Sequence, residues 1–286
     1  MKKNVPIIIL FLIITVYLFL YQDIISIIVI DASILFLKKV LTFLLPFYII
    51  SKVLINYNFA YYIAKLFNNN IYVFILIISF FTGCPNNILT IKELLEKKII
   101  TTNQANKYIK CSFFNNPLFL YNMISNIFNK KIALIIIFIQ LLSNIIIYLI
   151  KPCKNNNIIY LKSDSLLNVL NNSLKEISFI LLNIYITIIL FNILIIFIPN
   201  IFNNFIGLIE LTTGLNYLIN TNINFTFKLI LTIIYISFGG FSIHMQIKSV
   251  LIDTNISYKN FLISRIYQII ISLLITIICS YTLGLQ

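Results

Sequence analysis

The sequence predicts an all-α, polytopic membrane protein of two related halves, with interrupted helices, re-entrant or broken, meeting near the bilayer midplane. Three observations carry this prediction. Of 286 residues, 60% are hydrophobic and 10% charged, with a mean hydropathy of +1.00, far outside the range of soluble domains. The runs 6–21, 132–150, 177–198 and 266–281 reach or approach the roughly 20 apolar residues needed to cross about 30 Å of hydrocarbon, and they lack the ten-residue alternation of membrane strands. Two further apolar runs stop at breaker-rich clusters, 82–87 and 238–246. Hydrocarbon has no water to satisfy a freed backbone, so such breaks are tolerated only where protein or a wet cavity covers them.

The elements follow in order. Met1-Lys2-Lys3 before the apolar run 5–20 has the outline of a signal peptide, but no small-x-small cleavage site follows, so residues 1–30 read as an N-terminal transmembrane helix. Residues 31–150 form a first half. It opens with 34–55, where Pro46 predicts a kink, and a short aromatic segment with Lys65, 57–67, suited to the interface. The half-span 71–81 then runs into Thr82-Gly83-Cys84-Pro85-Asn86-Asn87, where glycine permits a tight turn and proline forbids continuation. An amphipathic arm, 88–98, precedes Thr101-Thr102-Asn103-Gln104, a capped helix start. That helix is expected to reach about residue 114 and end at Asn115-Asn116-Pro117.

Residues 151–165 are the polar connecting loop, and 166–286 the second half. A polar lead and the span 177–198 precede 201–218, which carries an isolated acid, Glu210. An acid in an apolar stretch is costly unless paired or wet. The run 224–237 then meets Phe238-Gly239-Gly240-Phe241-Ser242-Ile243-His244-Met245-Gln246. An offset of 157 residues superposes Gly83 on Gly240 and Phe81 on Phe238, and paired interrupted helices in two halves point to a transporter's central site.

The net charge of +13 comes from lysines spread through the loops, a positive-inside loop set. Cys84, Cys111, Cys153 and Cys279 have no metal-ligand spacing and imply no disulfide framework. With one histidine, no His-Glu-x-x-His and no phosphate loop, an enzyme is not expected. Asn144, Asn183 and Asn192 carry little weight in so asparagine-rich a chain. Arg265, at the start of the last span, reads as an interfacial anchor whose charge snorkels to the headgroups.

At the breaks, half-helix ends expose backbone N–H groups and positive dipole ends, which suit an anionic group on a small solute. Gly83, Pro85, Asn86, Asn87, Asn115 and Asn116 would face Gly239, Gly240, Ser242, His244 and Gln246, with Glu210 nearby. The expected partners are the lipid bilayer and that solute. A homo-oligomer is compatible with the sequence, and nothing points to a cofactor, a metal or nucleic acid.

Gly83-x-Pro85 with its following helix, Asn116-Pro117-Leu118-Phe119, Glu210-Leu211-Thr212-x-Gly214 and Gly240-Phe241-Ser242-Ile243-His244-x-Gln246 occur in the order of landmarks of a known family. Over residues 35–283 the chain resembles the sporulation integral membrane protein YlbJ family, within the nucleoside-recognition "gate" domain membrane proteins. The family pattern continues Gly-x-Pro-x-Gly-Ala-Lys, where this chain has Asn87, Ile88 and Leu89. The resemblance implies a role in endospore formation, moving dipicolinate, a small aromatic dicarboxylate, from the mother cell toward the forespore across the outer forespore membrane. The departures at Asn87, Ile88 and Leu89 speak for a runner-up reading, a non-transporting gate-fold scaffold for spore-envelope assembly.

Overall fold

The computed structural model describes residues 5–153, 160 and 162–283. Of the described residues 82% are helical and none lies in a strand. Helix α1 (Val5–Leu20) meets α2 (Gln22–Leu35) at Tyr21 with a bend of 93°. Beyond that bend α2, a π-helical stretch (Phe36–Leu41) and α3 (Thr42–Asn56) form one helical path, so the expected boundary at residues 30 and 31 falls inside a helix and Pro46 sits within α3 without ending it. Helix α4 (Phe59–Leu66) is short and amphipathic: Ala60 and Ala64 face inward, while Tyr62 and Leu66 stay exposed.

Helix α5 (Ile71–Thr82) starts where the Asn70 side chain accepts the Tyr72 N–H at 3.1 Å and ends at Gly83. Helix α6 (Asn86–Glu96) carries the charged arm, and α7 (Thr102–Tyr108) opens with the expected capping box between Thr101 and Gln104. Helix α7 stops at Tyr108, six residues short of the expected end, and residues 111–116 run as a non-helical segment with Cys111 to Asn115 buried. Helices α8 (Pro117–Ile127) and α9 (Lys130–Ile150) follow. Residues 154–159 and 161 of the expected polar loop lie outside the described residues.

The expected polar lead and the span 177–198 fall largely in one helix, α10 (Leu166–Ile195), started by the Ser165 side chain accepting the Asn168 N–H. A 3-10 stretch (Asn200–Phe205) leads to α11 (Ile206–Ile209) and α12 (Leu211–Asn220), separated by Glu210 alone. Helices α13 (Phe225–Phe238) and α14 (Gly240–Leu251) meet at Gly239, and α15 (Tyr258–Leu283) closes the described chain.

By length and composition four segments among the described residues can cross a membrane: α9, α10, the path Phe225–Leu251 and Tyr258–Tyr281, with a fifth if the bent pair at Tyr21 counts as one span. This is consistent with an integral membrane protein. The two glycine breaks differ. At Gly83 a 12-residue apolar helix turns into a charged one, whereas across Gly239 the chain continues as a single 27-residue candidate span. Fluctuating apolar patterns cannot tell these apart, because both leave a half-span before a glycine.

Candidate solute site at the helix breaks

The site is organised by the segment 111–116, which threads between the two glycine breaks. A non-helical backbone away from water must find partners for its carbonyls, and here distant residues supply them. Tyr72 Oη donates to the Cys111 carbonyl at 3.0 Å, Asn87 Nδ2 to that of Ser112 at 2.5 Å, and Asn144 Nδ2 to that of Phe113 at 2.7 Å. The Cys84 N–H donates to the Phe114 carbonyl at 2.7 Å, and Arg265 reaches the Lys110 carbonyl just upstream at 3.2 Å.

The asparagines at the breaks act mainly as struts. Asn115 Nδ2 donates to the Ile236 carbonyl near the end of α13, at 2.9 Å. Asn116 caps α8, its Oδ1 accepting from the Leu118 and Phe119 N–H groups, while its Nδ2 donates to the Phe81 carbonyl at 2.9 Å. Asn86 Nδ2 donates to the Leu44 carbonyl at 3.3 Å. The glycines are required by contact as well as conformation. Gly83 has φ +70°, and a Cβ there would stand 2.6 Å from the Asn116 nitrogen; Gly239 has φ +92°, and a Cβ would stand 2.6 Å from the Phe113 ring.

Glu210 is buried, at 2% exposure. It starts α12, its Oε2 accepting the Thr213 N–H at 2.6 Å, so the carboxylate meets the positive end of that helix. Gly240 lies against this second break, close to the Leu211 nitrogen and the Gly207 and Ile209 carbonyls. The α5–α6, α11–α12 and α13–α14 junctions thus converge.

Where they meet is a cavity of about 80 Å³. Pro85, Asn115, Asn116, Glu210, Ser242 and Gln246 line it, together with Cys84, Thr212 and Lys39. Gly83, Asn86, Asn87, Gly239 and Gly240 do not line it. His244 does not line it: Nδ1 meets Tyr258 Oη at 2.8 Å, and Nε2 donates to the Phe238 carbonyl at 3.1 Å. With both nitrogens occupied and the ring stacked 4.5 Å from Phe238, this imidazole ties α14 to α13 and α15. The sequence expectation of a solute contact at His244 therefore gives way to a packing role.

A larger cavity of about 630 Å³ adjoins the first, and Pro85, Ile184 and Gln246 line both. Gln246 is fixed at this junction by its Nε2 donating to Thr187 Oγ1 at 2.9 Å. The larger chamber is acidic, with Glu93, Glu96, Glu176 and Asp253 against Lys52 and Lys92. Lys52 bridges Glu93 at 2.9 Å and Glu176 at 2.6 Å, which joins α3, α6 and α10 around its wall. Leu89 lines this chamber.

Several contributors escaped sequence reasoning. Asn144 is wholly buried under Phe113; Asn183 Nδ2 donates to Ser249 Oγ at 2.6 Å, and Asn192 Oδ1 accepts from Thr213 Oγ1 at 2.6 Å. Arg265 is wholly buried and does not snorkel. Its position near the start of a long helix hid this, since the Phe113 ring and the Lys110 carbonyl that help hold it come from a remote part of the chain. Comparison of the chain with family models, curated proteins and solved structures finds no match.

Proposed function

We propose that the chain is a membrane transporter of a small organic anion, dipicolinate on the family resemblance, acting from mother cell toward forespore at the outer forespore membrane. One observation carries the reading: three helix junctions converge on a small, largely apolar cavity edged by Asn115, Asn116, Glu210, Ser242 and Gln246, and it adjoins a chamber large enough for an organic solute. Ligand sites generally occupy about 300–1,000 Å³, and the chamber falls in that range. The small cavity does not, holding the volume of about two to three waters. In this arrangement the chamber receives the solute and the junction at Pro85, Ile184 and Gln246 separates it from the cavity.

A second reading, a gate-fold scaffold without transport, is favoured by the constriction and by Leu89. The chamber's acids outnumber its lysines, and the cation of the family pattern is missing from its wall. Vesicles containing only this protein and offered labelled dipicolinate separate the two readings: a transporter accumulates label above protein-free vesicles, a scaffold does not. For a transporter, Leu89→Lys is expected to lower the half-saturating dipicolinate concentration about three- to tenfold, the effect of one added charge at roughly 1 kcal/mol in a partly wet site. An unchanged half-saturation would remove the chamber from the solute's route.

A further inference from the structure

Arg265 is wholly buried, yet among the described residues no carboxylate lies within 4.0 Å of it. Its guanidinium stacks between Phe113 and Phe261, 4.2 and 4.8 Å from the ring centroids. Its hydrogen bonds go to neutral groups, namely Gln268 Oε1, Ser264 Oγ at 3.1 Å and the Lys110 carbonyl, and its Nε has no partner. A charge held away from water without a counter-charge is costly. Within a membrane span it marks a functional site.

The neighbouring segment shows a matching imbalance. The carbonyls of Cys111, Ser112, Phe113 and Phe114 all accept hydrogen bonds. The N–H groups of Ser112, Phe113, Phe114, Asn115 and Asn116 make none among the described residues, although more than about 90% of buried backbone donors are normally paired. Asn115 and Asn116 line the small cavity. So does Ser242, whose Oγ is fully buried and without a partner. Occupied acceptors beside free donors and an uncompensated cation make the segment's own face positive, as in backbone anion nests, while Glu210 and Lys39 line the same cavity.

We propose that the segment 112–116 with Ser242 and Arg265 forms a carboxylate site. The main-chain N–H groups at the Asn115–Asn116 edge and Ser242 Oγ hold the carboxylate. Arg265 is a positioning residue that supplies compensating charge from the layer behind, its guanidinium stacked on the Phe113 ring of the segment. The inference rests on the reading of the solute as an organic anion. It moves the anion contacts from the His244 side of the break to the segment opposite. The small cavity admits a carboxylate head, and the rest of the solute extends toward the chamber.

The test uses the purified full chain in detergent and reads its melting temperature against rising sodium dipicolinate or the neutral pyridine-2,6-dicarboxamide at matched ionic strength. Dipicolinate is expected to stabilise saturably and the diamide not at all. Arg265→Gln should weaken apparent dipicolinate affinity at least tenfold, with Arg265→Lys between the two because it keeps the charge but not the planar stack. Equal stabilisation by the diamide, no stabilisation by dipicolinate, or an unchanged affinity in Arg265→Gln would overturn the site. The diamide comparison needs only the unaltered chain, so it decides even where Arg265→Gln fails to accumulate. Binding without vesicle uptake would leave this site standing and remove transport; uptake with affinity indifferent to Arg265 would do the reverse.

Discussion

Gly83→Ala is expected to abolish accumulation of folded protein, measured as the monodisperse fraction after extraction in detergent. Gly83 has φ +70° and ψ 179°, a region that is essentially glycine-only and costs about 1–3 kcal/mol for other residues. Its new Cβ would also stand 2.6 Å from the Asn116 backbone nitrogen, which sits on the buried segment and cannot swing aside as a side-chain tip can. Overpacking of this kind adds about 1–3 kcal/mol. Together these take a large part of the usual 5–15 kcal/mol of domain stability. Gly239→Ala should be milder, since its 2.6 Å contact is the Cζ end of the Phe113 ring. Equal yields for Gly83→Ala and the unaltered protein would contradict the close approach of the α5–α6 turn to Asn116.

Asn144→Leu should destabilise by about 2–4 kcal/mol, because a buried carbonyl left without its donor costs roughly 1–3 kcal/mol beyond the lost bond. The side chain is similar in volume, so the effect reports on hydrogen bonding rather than on a void. Asn144 Nδ2 serves both the Phe113 and Gln140 carbonyls, but Gln140 lies in α9 and keeps its helical environment. The loss therefore falls on Phe113, whose carbonyl retains only the weaker 3.5 Å contact from Gln268 Nε2. Thermal unfolding in detergent reads it, and Asn183→Leu provides the control. Asn183 donates to the hydroxyl of Ser249, a group able to turn to another acceptor, so its replacement should cost well under half as much.

These two expectations also mark what the sequence could and could not reveal. The breaks at Gly83 and Gly239 were legible because glycine and proline act locally: their effect on φ and on the next peptide does not depend on the remote chain. The capping box at Thr101 and the cost of Glu210 inside an apolar stretch were legible for the same reason. The end of α7 was not. Residues 109–114 carry no breaker, and they leave the helix because Tyr72, Asn87, Asn144 and Arg265, brought from elsewhere in the chain, take up their carbonyls. Such an override of local propensity by tertiary hydrogen bonding leaves no mark at the segment itself.

The candidate site was legible in part for a related reason. Pro85, Asn115, Asn116, Glu210, Ser242 and Gln246 come together at one cavity because each sits at or next to a helix end, and helix ends are what the sequence exposes. His244 belongs to the same stretch, but a residue two positions from both Ser242 and Gln246 on a helix points away from them, and it found Tyr258 and Phe238 instead. Arg265 failed to register because snorkelling is the ordinary fate of an arginine near a span's end. Its burial depends on two phenylalanines, one of them more than a hundred residues away in sequence.

The most direct measurement of the proposed route is labelled dipicolinate uptake into vesicles containing the unaltered chain or Ile184→Trp, beside protein-free vesicles. Ile184 lines both cavities at their junction, and an indole there fills the constriction. The account predicts uptake above background for the unaltered chain and background uptake for Ile184→Trp, with both proteins monodisperse. Uptake by Ile184→Trp equal to that of the unaltered chain, or background uptake by both, would contradict it.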